Sequence, residues 1–196
     1  MNYLALGDSY TIGTSVQPEE SFPRVLGEML KSKAKESFEV EIIAKRGWTT
    51  KDLIDHLPTG YRQYDIITLL IGVNDLYDGV PFNFYRTGLS EIIDYALTLA
   101  GGNPECLRVL SIPDYTFTPF ALEKSINVSA AIDEYNREAK QQCAEREIAY
   151  VDITDISRRG IKEPSIVADD GLHLSAEAYK MIADRLFTSL TNVRID

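Results

Sequence analysis

Asp65-Ile66-Ile67-Thr68-Leu69-Leu70-Ile71 is apolar at almost every position, the pattern of a strand whose two faces are both covered, as in a parallel sheet between two layers of helix. Four other short apolar runs match it in kind: 3–6, 38–44, 107–112 and 148–151. Longer segments of helical period separate them, and strands alternating with helices build a parallel sheet. In one such segment Val128, Ala131, Ile132, Tyr135 and Ala139 line one face and Cys143 continues the stripe, while Asp133, Glu134, Arg137 and Lys140 lie elsewhere. The last helix is predicted to begin at Ser175 as its cap, with Leu174 and Tyr179 as a hydrophobic staple and Ala178, Ile182 and Leu186 facing the sheet. The expectation is an α/β sandwich of helix, sheet and helix.

The chain has 196 residues, enough for one domain with a sizeable core, and no linker, repeat or composition shift divides 1–196. The charge run from Lys31 to Glu41 reads as a solvated helix end. Thirty acidic against twenty basic residues give a net charge of −10, a field that repels phosphate backbones, so nucleic acid is excluded as a partner. Cys106 and Cys143 are too few for a disulfide framework or zinc cluster and are expected to be reduced core residues. The first residues carry no basic, apolar leader and no run reaches membrane-spanning length, so a cytoplasmic protein without a membrane span is expected. The least regular long segment, 113–126, carries Tyr115, Phe117, Pro119 and Phe120 and reads as a functional or mobile loop, with lid, pocket wall and interface as its open alternatives.

In open parallel sheets ligands bind beyond the carboxyl ends of the strands, and four segments converge there. These are Gly7-Asp8-Ser9-Tyr10, Arg46-Gly47-Trp48-Thr49-Thr50, Gly72-Val73-Asn74-Asp75 and Asp170-Gly171-Leu172-His173-Leu174-Ser175. A serine hydroxyl needs a base to become a nucleophile, and that base needs an orienting group. Of the two histidines, His173 follows Asp170 by three positions in a turn, which lets the carboxylate reach Nδ1 and leaves Nε2 for Ser9; His56 reads as a helix-end residue. The oxyanion of an acyl transfer needs donors. The Ser9 N–H, the Gly47 N–H and the Asn74 amide are suitably placed.

These four blocks resemble those of the SGNH hydrolases, the GDSL esterase and lipase family, named for a Ser, a Gly, an Asn and a His that fall here on Ser9, Gly47, Asn74 and His173. The resemblance implies a flavodoxin-like parallel sheet of about five strands in a three-layer α/β/α fold. It also implies a Ser9-His173-Asp170 triad, an oxyanion hole from Ser9, Gly47 and Asn74, and hydrolysis of a small-molecule carboxylic ester without metal or organic cofactor. Small acyl or aryl esters, a lysophospholipid and an acetylated sugar all lie within that range. Two positions depart from the pattern: Tyr10 where the family name has Leu, and Ala178 where a glycine is common.

Taken singly, each block has a plainer meaning. Gly-Asp-Ser is turn chemistry, Asp75 a helix cap, Gly47 a residue of positive φ, and Asp170 with His173 an ordinary ion pair. Trp48 and the aromatics from Tyr115 to Phe120 fit core packing as well as a substrate wall. Two rivals remain: a flavodoxin-like phosphotransfer module using Asp8, and an inactive binding protein on the same fold. The chain lacks Gly-x-Ser-x-Gly, Gly-x-x-x-x-Gly-Lys, Gly-x-Gly-x-x-Gly and His-Glu-x-x-His.

Overall fold

The computed structural model describes residues 1–34, 38–60 and 62–191. All five expected strands are present: β1 (Asn2–Gly7), β2 (Glu39–Ala44), β3 (Ile66–Leu70), β4 (Leu107–Leu110) and β5 (Ala149–Val151). They form one sheet in the order β2-β1-β3-β4-β5, every pair parallel. The chain steps from β1 outward to β2, then crosses back to β3 on the other side of β1. That reversal opens a crevice beyond the carboxyl ends of β1 and β3, the ligand position of this architecture.

Helices cover both faces. α1 (Ser9–Ile12), α2 (Phe22–Ala34) and α9 (Ala176–Thr191) pack together, while α3 (Thr50–Ile54), α4 (Val73–Tyr77), α5 (Phe82–Leu99) and α7 (Ser129–Glu145) form the other layer. The apolar reading of the third strand is explained by this burial: Ile66, Ile67, Leu69 and Leu70 are all buried, and so is Thr68, whose hydroxyl meets that of Tyr3 at 2.8 Å. Each fully buried Leu or Ile contributes about 1.5–3 kcal/mol. The amphipathic stripe on α7 holds at Ile132, Tyr135, Ala139 and Cys143, while Val128 and Ala131 are only partly buried. At α9, Ser175 Oγ accepts from the Ala178 N–H at 3.2 Å, and Ala178, Tyr179, Ile182 and Leu186 are fully buried.

Two expectations change. Segment 113–126 is not irregular: a 3-10 turn at Tyr115–Phe117 is capped by Asp114, and α6 (Pro119–Glu123) is capped by Thr118 with proline in its first turn. Cys143 is buried and unpaired as expected, but Cys106 is only half-buried, in a turn ahead of β4. Of the charge run from Lys31, residues 35–37 lie outside the described residues, while Lys31, Lys33 and Glu39 are exposed.

One buried charge stands out in β4. Arg108 is 1% exposed and is satisfied by oxygens of neutral groups: Nε donates to Ser189 Oγ at 2.8 Å, Nη1 to the Glu105 carbonyl at 2.7 Å and the Leu107 carbonyl at 3.0 Å, and Nη2 to the Ser189 carbonyl at 3.1 Å. A cation at the end of a helix meets its unsatisfied carbonyls, so Arg108 pins the last turn of α9 to the sheet. No helix among the described residues is long and apolar enough to cross a membrane.

Candidate active site

The end of β1 is shaped by a close approach. A Cβ on Gly7 would sit 2.1 Å from Thr11 Oγ1 and 2.3 Å from the Leu70 carbonyl oxygen, so no side chain fits where β1 turns into α1 beside β3. Asp8 caps that turn: its Oδ1 accepts from the Tyr10 N–H at 2.9 Å and its carbonyl from Thr11 and Ile12, both at 3.1 Å. Ser9 is therefore the first residue of α1, where an N–H has no acceptor within the helix.

Ser9, Gly47, Asn74 and His173 line a single cavity of about 290 Å³, with Tyr10, Arg46, Tyr77, Asp78, Tyr115 and Phe120 among its walls. Gly47 has φ +83° and nothing within 4 Å of a notional Cβ, so its backbone can be approached directly. Asn74 Nδ2 donates to the Trp48 carbonyl at 2.8 Å and lies 3.5 Å from Asp8 Oδ2. The first contact fixes the amide against the loop that carries Gly47; the second is at the long limit for a hydrogen bond.

Asp170 stands behind His173 and outside the cavity lining. Its Oδ2 lies 2.5 Å from His173 Nδ1, and its Oδ1 accepts from the N–H groups of Leu172 and His173 at 2.9 Å each. Partial burial pushes the Asp170 carboxyl up, but the Ser15 hydroxyl, which donates at 2.6 Å, together with the imidazole and the two N–H groups, holds it well below the usual carboxylate range. The ionised form is thereby favoured. With Nδ1 so engaged, Nε2 is the ring nitrogen left for the cavity. The Tyr10 ring packs against the imidazole, centroids 5.2 Å apart and planes tilted by 50°.

Asp75 corrects an expectation. It does not cap its own helix, whose N-cap is Gly72; it is fully buried and accepts from the Thr50 N–H at 2.9 Å and hydroxyl at 2.6 Å, joining α4 to the start of α3. Burial raises both Asp75 and Asp8, and for Asp8 the carboxyl reaches about 7, with Asp75 adding to the push. The aromatics divide. Tyr115 and Phe120 line the cavity, whereas Trp48 does not; its ring packs against His56, centroids 4.5 Å apart and planes tilted by 31°, and His56 Nδ1 lies 2.8 Å from the Asp52 carbonyl. The Phe120 N–H donates to the Gly171 carbonyl at 3.0 Å, so segment 113–126 is docked on the turn bearing His173. Sequence reasoning did not single out Ser15, Arg46 or Tyr77. Ser15 has φ +73°, a conformation nothing local foretells for a serine.

Among solved structures, 114 chains match this fold. An acetyl xylan esterase superposes with TM-score 0.76 at 16% identity over 97% of this chain and 100% of its own. A lipase/acylhydrolase from Enterococcus faecalis gives 0.76 at 17% identity over 97% and 95%. The psychrotrophic esterase EstA from Pseudoalteromonas sp., in a structure inhibited by monoethylphosphonate, gives 0.70 at 16% identity over 97% of each chain. At these identities the likeness is one of fold. Comparison with curated proteins finds no match. The family model described as GDSL-like Lipase/Acylhydrolase matches residues 5–181, nearly the whole chain, and the chain belongs to that family.

Proposed function

We propose that residues 1–196 act as one serine esterase domain that hydrolyses small carboxylic esters through an acyl-enzyme on Ser9. The observation that carries this reading is the pairing of Asp170 with His173 Nδ1 at 2.5 Å, on a ring that borders the same cavity as Ser9. In the first step His173 Nε2 takes the Ser9 proton as Oγ attacks the ester carbon, and the carbonyl electron pair moves onto oxygen. The Ser9 N–H, the Gly47 N–H and Asn74 Nδ2 hold that oxyanion. Its collapse breaks the bond to the alcohol, which departs with the proton from His173. Water, deprotonated by His173, then attacks the acyl carbon; the second tetrahedral intermediate collapses by breaking its bond to Ser9 Oγ, which takes the proton back from His173 as the carboxylic acid leaves. Asp170 stays ionised and balances the imidazolium.

A cavity of about 290 Å³ favours a small acyl or aryl ester over a long-chain lipid. Asp8, which phosphotransfer would need at the surface, is fully buried. Reaction with a fluorophosphonate probe tests the reading. Stoichiometric labelling is expected, located on Ser9 by peptide mass spectrometry and lost in Ser9→Ala and His173→Ala; an unlabelled wild-type protein would favour the inactive binding protein instead. In steady-state assays Asn74→Ala should lower kcat about 10²- to 10³-fold with KM changed far less, as expected for a donor that acts mainly on the developing oxyanion.

A further inference from the structure

Five arginines are held in ion pairs, whereas Arg24, Arg46, Arg86, Arg108 and Arg137 are in none among the described residues, and of these five only Arg46 borders the cavity. Arg62 meets Glu39 and Glu41, Arg146 meets Asp94, Arg158 meets Asp114 and Asp133, Arg159 meets Glu163, and Arg185 meets Asp155. With thirty acidic residues in the sequence, carboxylates are plentiful. Arg46 is exposed, borders the cavity immediately before Gly47, and has no ion-pair or hydrogen-bond partner among the described residues. Asp78 borders the same cavity and the two do not pair. Tyr77, Tyr115, Phe120 and Leu172 line the same cavity. The planar fork of a guanidinium matches a carboxylate with two parallel hydrogen bonds.

We propose that Arg46 forms an anion subsite in the cavity and that the preferred substrates are esters carrying one carboxylate. This rests on the esterase reading of Ser9. Asp78 on the same wall, and the −10 charge of the chain, disfavour a second negative charge on the ligand, which selects a monocarboxylate over a phosphate monoester. The overall field repels anions at long range. Arg46 reverses that preference only within contact distance.

The test compares matched ester pairs. 4-Nitrophenyl hemisuccinate against its methyl ester places the charge on the acyl side, and 3-carboxyphenyl against 3-carbamoylphenyl acetate places it on the alcohol side. The quantity read is the ratio of kcat/KM for the charged to the neutral member of each pair. In Arg46→Gln that ratio should fall about tenfold, in line with loss of a charged hydrogen bond, for the pair whose carboxylate reaches the subsite. Arg46→Lys, which keeps the charge but not the fork, should fall between. Equal ratios in wild type and Arg46→Gln for both pairs would overturn the proposal. Titration calorimetry with succinamate separates the two readings: if no ester is turned over, the esterase reading fails, whereas succinamate binding that weakens about tenfold in Arg46→Gln would still support the subsite, and unchanged binding would sink it.

Discussion

Ser9→Ala should lower kcat on the best ester by on the order of 10⁶-fold, with thermal unfolding close to that of the wild type. The substitution removes one oxygen from the cavity wall and leaves the rest of the proposed machinery standing: the Asp170–His173 pair, the Gly47 N–H and the Asn74 amide. The residual rate then measures what the oxyanion donors achieve alone, typically about 10³- to 10⁴-fold over water. Retention of wild-type turnover by purified Ser9→Ala would remove Ser9 from the mechanism altogether. Combining Ser9→Ala with His173→Ala should cost little more than either alone, because a base without its nucleophile has nothing to activate.

Asp8→Asn should change how stability depends on pH. Burial holds the native Asp8 carboxyl at about 7, against 3.8 for the ordinary group. Between those values the folded chain binds a proton that the unfolded chain has released, so stability falls as pH rises from about 4 to about 7 and then levels off. At about 1.4 kcal/mol per unit, the loss approaches about 4 kcal/mol, which for a chain of this length corresponds to about 10 °C in melting temperature. An asparagine at position 8 cannot ionise, and its side-chain oxygen can keep the bond from the Tyr10 N–H. The gap in unfolding free energy between Asp8→Asn and wild type should therefore widen in favour of the variant by about 4 kcal/mol between pH 4 and pH 8. Parallel stability curves for the two proteins over that range would show that Asp8 is already ionised in the native state.

The sheet was legible because burial on two faces leaves an uninterrupted apolar record, as at 65–71. Strand ends were less so: the runs at 38–44 and 107–112 include Phe38, Ser111 and Ile112, which stay close to the sheet without belonging to a strand. Segment 113–126 hid two helical turns because proline and threonine are loop signals until Asp114 and Thr118 are seen to act as caps. The expected site residues gather in one place, with Asp170 just behind His173. What supports them was not readable, since each support reaches across the chain: Ser15 to Asp170, Thr50 to Asp75, and Asn74 to the Trp48 carbonyl. Arg108 is the sharpest case. An arginine inside a strand suggests an exposed edge, and nothing near position 108 announces that Ser189 will satisfy it.

The reversal of strand order at β1 places the first strand next to the middle of the sheet, while the turn bearing His173 joins it only from the far end of the sequence. During synthesis the chain emerges in order from its N-terminal side, so Ser9 is made well ahead of His173 and waits without its base. On the proposed reading the nascent protein is chemically silent toward esters until the turn bearing His173 docks beside β1.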